Sequence, residues 1–133
     1  MNNVQPTESE LEILQVLWQF KKATVRQVHE VLASKRDIGY TTTLKLMQIM
    51  TEKKLLKRDT NQRVHIYQPI IGQSSVEQSL MQKIKKNLFR GSTSQLVIGA
   101  LSSDPISQSE LQEIRDYLNS YEKTNHSSNP PKP

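Results

Sequence analysis

The sequence contains no cysteine. That excludes a disulfide scaffold, a thiolate metal site and a cysteine nucleophile together. Only 4 of the 133 residues are glycine, and none belongs to a Gly-rich phosphate loop. Aromatic residues make up 5% and hydrophobic residues 35%, too little for one large core. A chain of this length still encloses a working core, and a better one if it oligomerises. No apolar run approaches the ~20 residues that span a bilayer, so no membrane insertion is expected. The opening MNNVQPTESE has no basic region followed by an apolar stretch, so no secretory signal is expected. The expectation is a soluble, cytoplasmic protein. Enzyme signatures are equally scarce. His29, His65 and His126 lie far apart with no H-E-x-x-H spacing, and no serine sits in G-x-S-x-G. No catalytic residue, metal or cofactor is expected.

What the sequence does have is basic charge, unevenly placed. The chain carries 18 Lys+Arg against 13 Asp+Glu, a formal net charge of +5. Residues 1–72 hold 11 basic and 7 acidic side chains, a net of +4, and residues 73–133 hold 7 and 6. The segment 35–63 alone contains Lys35, Arg36, Lys45, Lys53, Lys54, Lys57, Arg58 and Arg63 against Asp37, Glu52 and Asp59, a net of +5. A concentration of this kind suits contact with nucleic-acid phosphates. A solvated Lys/Arg surface would give the same count.

Helix starts are legible as capping boxes, in which a Ser or Thr side chain accepts from the backbone N–H three residues on and a Glu or Gln reaches back. Thr7…Glu10, Thr24…Gln27, Ser74…Glu77, Ser92…Gln95 and Ser107…Glu110 all fit. The first helix is expected from Glu8 to Phe20, the second from Val25 to about Ser34, and the third, after Gly39, from Thr41 to about Lys54. The pattern then shifts towards alternation at Leu55–Arg58 and Arg63–Gln68 around a polar turn, which predicts a β-hairpin. Three helices followed by a hairpin is the order of a winged helix-turn-helix. Three further helices are expected at Ser74–Phe89, Ser92–Leu101 and Ser107–Glu122. The fold class expected is therefore mostly α: a winged-helix DNA-binding domain over 1–72, a helical dimerisation domain over 73–122, and a disordered polar tail over 123–133. Leu80, Ile84, Leu88, Leu111, Ile114 and Leu118 make stripes on helices too short to bury one another in one chain. Pairing of two chains through these stripes is the natural outcome.

The third helix carries the sharpest functional pattern. With Thr43, Leu46, Met47 and Met50 facing the core, the opposite face presents Thr41, Lys45, Gln48 and Glu52, flanked by Thr42 and by Leu44, which could touch a thymine methyl. Thr41, Thr42, Lys45 and Gln48 are candidates for base-edge contacts. Arg26 in the first turn of the second helix, with Lys57, Arg58 and Arg63 of the hairpin, are candidates for backbone phosphates. Each also has a plain reading as a polar surface residue or a charged hairpin edge. His29 is expected at the surface.

These residues resemble a known family. Thr24-Val25-Arg26-Gln27-Val28-His29-Glu30-Val31-Leu32, then Tyr40-Thr41-Thr42, Met47-Gln48 and Lys53, are similar to the penicillinase-repressor family of the BlaI/MecI/CopY type. Glu10-Leu11-Glu12…Val16-Leu17-Trp18 and Arg63…Tyr67-Gln68-Pro69 match its pattern too, and the resemblance extends over about residues 6–122. It implies a homodimeric winged-helix repressor of pseudo-palindromic operators, often of β-lactamase or copper-handling genes, with interlocked C-terminal helices. Carried over by position, Thr41, Thr42, Lys45 and Gln48 fall in its base-reading segment and Arg63 in its wing. Copper-responsive members carry a C-terminal Cys-x-Cys pair, which this chain lacks. Antibiotic-responsive members are cleaved at an Asn–Phe bond in the fifth helix, through a membrane sensor protease; the equivalent place here is Gly99-Ala100. Two other readings stand beside this one: a winged helix used only for protein contacts, which does not need +5 over 35–63, and a ligand-sensing repressor, for which no converging polar groups are evident.

Overall fold

The computed structural model describes residues 5–126, in the order α1 (Glu8–Phe20), α2 (Val25–Ala33), α3 (Tyr40–Glu52), β1 (Leu56–Asp59), β2 (Ile66–Pro69), α4 (Gln73–Leu88), α5 (Thr93–Ser103) and α6 (Gln108–His126). The chain forms two compact units, one ending at Ile84 and the other beginning at Lys85.

In the first unit, α1 and α2 start as the capping pattern requires. Thr7 Oγ1 accepts from Glu10 N and Glu10 Oε1 accepts from Thr7 N at 2.9 Å; Thr24 and Gln27 repeat the exchange at α2. α3 begins after Gly39 without a side-chain cap. It ends two residues earlier than expected because Lys54 turns into the left-handed region, φ +69°. There Lys54 N bonds to Thr51 O and Leu55 N to Met50 O at 2.9 Å, the paired bonds that close a helix and turn the chain back. Leu55 and Leu56 thereby enter the core on the way into β1.

The core is contributed by all five elements of the headpiece: Ile13, Leu14 and Leu17 of α1, Val28 and Leu32 of α2, Met47 and Met50 of α3, Leu56 of β1 and Tyr67 of β2. Thr43 is also fully buried, on the face of α3 expected to turn inward. β1 and β2 pair antiparallel, with Leu56 opposite Pro69 and Asp59 opposite Ile66. The outer edge of β2 is occupied at one residue. Tyr67 exchanges both backbone hydrogen bonds with Ala23, at 2.8 and 2.9 Å, in the turn between α1 and α2.

The second strand is shorter than expected. Pairing starts at Ile66, so Arg63, Val64 and His65 belong to the connecting loop. Asp59 Oδ1 accepts from Asn61 N at 3.0 Å and closes the turn early, leaving no partner strand for residues 63–65.

Trp18 Nε1 donates to Ile71 O at 2.9 Å and fixes the exit from the hairpin against α1. α4 starts at Gln73 rather than after Ser74, because the Gly72 carbonyl accepts from Val76 N and so already lies in the first helical turn. Val76 is buried and Gln5 donates to Ser79, which is why the first unit continues past the hairpin to Ile84.

In the second unit the helix starts are capped, and no residue over 85–125 is fully buried. Ser92 Oγ accepts from Gln95 N at the start of α5, and Ser107 Oγ from Glu110 N at the start of α6. α5 contains no buried residue. The ring of Phe89 lies against Gly99, where a Cβ would sit 3.3 Å from it. α6 continues to His126, four residues beyond the expected end, with Asn125 Nδ2 donating to Tyr121 O. Residues 123–126 are therefore helical rather than part of a disordered tail; 127–133 lie outside the described residues.

Candidate nucleic-acid interface

α2 and α3 form the helix-turn-helix, joined by residues 34–39. Burial of Thr43, Met47 and Met50 fixes the rotation of α3, and that rotation decides which side chains reach solvent. Thr41, Thr42, Lys45 and Gln48 are all exposed. The spacing 41, 45, 48 places three of them along one face, with Thr42 beside the first. A helix of 13 residues is about 20 Å long and about 10–12 Å across with its side chains, which matches a major groove about 12 Å wide.

Thr43 is held from two sides. Its hydroxyl lies 3.0 Å from Nδ1 of His29 and 3.5 Å from the Gly39 carbonyl. His29 is therefore half-buried between α2 and α3 rather than a plain surface residue. Its ring meets the ring of Tyr40 edge-on, with centroids 5.5 Å apart and planes at 80°. The Arg26 guanidinium carbon lies over the same ring, 5.8 Å from its centroid and within cation–π range. Arg26 and His29, one turn apart on α2, thus both engage the first residue of α3.

The four candidate phosphate contacts do not form one group. Arg26 and Arg63 border a single groove of about 320 Å³ between the start of α2, the start of α3 and the base of the hairpin loop, together with Thr24, Tyr40 and His65. Lys57 and Arg58 lie on β1, where the pleat turns successive side chains to opposite faces. Arg58 shares its face with its cross-strand partner, the buried Tyr67, and Lys57 stands on the other. Both are exposed.

The basic segment 35–63 is also partly neutralised. Arg36 bonds to Glu12 with Nη2 2.8 Å from Oε1, and Lys53 Nζ lies 2.7 Å from Oε2 of Glu10. Lys35, Lys45, Lys54, Lys57, Arg58 and Arg63 form no ion pair among the described residues, and neither does Arg26. Sequence reasoning could count these charges but not see that α1 supplies the carboxylates. It also passed over Tyr40 as a site residue. The available signal was Arg26 and His29 at i, i+3 followed by an aromatic residue opening the next helix.

In the second unit, Ile114 and Leu118 line an open apolar groove of about 700 Å³ between α5 and α6, with Val97, Tyr117 and Tyr121. Leu118 is 54% exposed and Leu88 72%. Of the six expected interface residues, Ile84 is also exposed, while Leu80, Leu111 and Ile114 are half-buried. Gly99 and Ala100 both sit inside α5, Gly99 under the Phe89 ring. No helix among the described residues is long and apolar enough to cross a membrane.

Three helices, a two-stranded hairpin and an outward polar face on the third helix define a winged helix-turn-helix protein. The chain belongs to the penicillinase repressor family, whose model matches residues 6–120. It is 36% identical over 73 residues to the transcriptional regulator BlaI of Mycobacterium tuberculosis, a match covering 54% of this chain and about half, 53%, of that protein. It is 21% identical over 113 residues to the methicillin resistance regulatory protein MecI of Mammaliicoccus sciuri, covering 85% and 92%. A solved structure of a Lactococcus lactis ZitR double mutant is similar at a TM-score of 0.44 and 17% identity, over 92% of this chain and 77% of that one.

Proposed function

We infer that this protein is a transcriptional repressor that binds pseudo-palindromic operator DNA as a homodimer. The observation that carries the reading is the exposed polar face of α3, Thr41, Lys45 and Gln48, set beside unpaired arginines at Arg26 and Arg63 in a member of the penicillinase repressor family. In this reading α3 enters the major groove and Thr41, Thr42, Lys45 and Gln48 meet base edges. Arg26, Lys57, Arg58 and Arg63 contact the phosphate backbone and set register without reading sequence. The protein acts in the cytoplasm, performs no catalysis and needs no cofactor or metal.

Dimerisation is the second part. A leucine 72% exposed on α4, another 54% exposed on α6, and an open apolar groove between α5 and α6 are costly in a monomer. Burying them against a second copy through Leu80, Ile84, Leu88, Leu111, Ile114 and Leu118 recovers roughly 25 cal/mol per Å² of apolar surface. Two headpieces joined this way reach two half-sites on one duplex, so affinity depends on the join. Release follows proteolysis near Gly99 and Ala100, by a membrane sensor protease as in the antibiotic-responsive members that the sequence resembles. α5 has no buried residue, so it unwinds at low cost to offer that bond. A β-lactam-type signal fits this scheme.

The test is a gel-shift series against promoter fragments and random duplexes of equal length. Selective retention of one fragment, weakening steeply with salt, is the expected result. Equal retention of all duplexes would refute the operator reading.

A further inference from the structure

The groove between Arg26 and Arg63 holds more organisation than two surface arginines require. It brings two guanidinium groups to one concavity with no carboxylate on its walls, and neither forms an ion pair among the described residues. Tyr40 is 43% exposed at its edge. Arg26 lies over the ring at 5.8 Å, and the His29 ring meets it at 5.5 Å between centroids, nearly perpendicular. His29 is in turn bonded to the fully buried Thr43. A long arginine side chain on an exposed helix start ordinarily samples many rotamers, and immobilising it on binding costs affinity. Here the aromatic face removes part of that freedom beforehand, because a planar guanidinium stacks on a ring without losing its N–H donors. The Tyr40 hydroxyl stays available as a further donor.

We propose that Tyr40 is a DNA-positioning residue: its ring holds Arg26 for a backbone phosphate at this groove, and its hydroxyl donates a hydrogen bond to the same phosphate. The proposal rests on the DNA-binding reading above and names a residue that reading does not use. It assigns two separable contributions to one side chain. The hydroxyl bond is neutral on the protein side and releases no counterion. The arginine contact is ionic and contributes about −0.9 to the slope of log K against log salt.

The experiment uses the full chain and one short fixed duplex, since a backbone contact is independent of sequence, with affinity read by fluorescence anisotropy across a chloride series. Arg26→Ala should lower the magnitude of the slope by about 0.9. Tyr40→Phe keeps the ring and should weaken binding about tenfold with the slope unchanged. Tyr40→Leu removes both contributions, and should weaken binding further and move the slope towards that of Arg26→Ala. In the Arg26→Ala background, Tyr40→Leu should leave the slope where it is, which is the coupling a simple loss of fold would not produce. An unchanged thermal midpoint in Tyr40→Phe keeps that comparison clean. Wild-type affinity in Tyr40→Phe, or an unchanged slope in Tyr40→Leu, would overturn the proposal while leaving DNA binding intact. Failure of the unmodified protein to bind any duplex would overturn both. Inorganic phosphate replacing chloride at matched ionic strength should not displace the duplex; displacement would assign the groove to a free anion instead.

Discussion

The Lys53 ammonium at the C-terminus of α3 lies 2.7 Å from Glu10 in the first turn of α1, 43 residues away in sequence. Glu10 is 2% exposed and divides its two oxygens between tasks. Oε1 completes the capping box of α1, and Oε2 takes the lysine. One carboxylate therefore both caps the start of α1 and ties it to the end of α3, just upstream of the turn that leads to the hairpin.

Removing that carboxylate is expected to be costly. Glu10→Ala loses a cap bond and the partner of Lys53, and should destabilise the protein by about 2–4 kcal/mol. Lys53→Met leaves the buried carboxylate unpaired. That carboxylate is only 2% exposed, so water cannot replace the lysine and the expected cost is about 3–5 kcal/mol. In Glu10→Ala, by contrast, the lysine left behind is about a third exposed and is solvated. Urea denaturation of both variants checks the ranking; Glu10→Ala costing more than Lys53→Met would contradict this account.

Lys54 offers the opposite change. Its φ of +69° is a conformation that an L-residue with a side chain adopts at a cost. Lys54→Gly should raise stability by about 0.5–1 kcal/mol, after allowing for glycine's freedom in the unfolded chain. A lower thermal midpoint would mean that the lysine side chain makes a contribution not visible in its contacts.

On α3, Gln48→Ala should alter base preference by about 1–3 kcal/mol at the position it reads and leave the melting transition in place, because Gln48 is exposed. Arg63→Ala should weaken all sequences alike and lower the salt slope by about one. Selection from a random duplex library, run with each variant, separates the two effects. A shift of preference in Arg63→Ala but not in Gln48→Ala would reverse the assignments.

Leu88→Glu and Leu118→Glu place charges on the two most exposed of the expected interface leucines. Both variants should remain folded and sediment as monomers at concentrations where the unmodified chain is a dimer. Operator affinity should fall with dimerisation, since each headpiece then binds one half-site alone. An unmodified chain that sediments as a monomer yet binds tightly would remove the dimer from the scheme.

The elements themselves were legible because their signals are local. Thr7 with Glu10 and Thr24 with Gln27 mark two helix starts to the residue, and the 3.6-residue spacing of Thr43, Met47 and Met50 already turns Thr41, Lys45 and Gln48 outward. A capping box needs four consecutive residues and a helical face needs two turns, so no distant contact is required to read either. The limits of local reading appear at Ser74, where a good capping pattern was overruled by the Gly72 carbonyl, and at residues 63–65, which alternate like a strand but have no partner to pair with. Only the tertiary structure decided which charges stay free. Glu10 and Glu12 reach Lys53 and Arg36 because α1 packs across α3 and alongside the turn after α2, and no window of sequence contains both members of either pair. The same holds for the groove. Arg26, Tyr40 and Arg63 come from a helix start, another helix start and a loop, and they converge because Ala23 and Tyr67 lock the hairpin to the turn that begins α2. Local chemistry writes helices and turns; the meeting of side chains dozens of residues apart depends on how a shared core orients the elements that carry them.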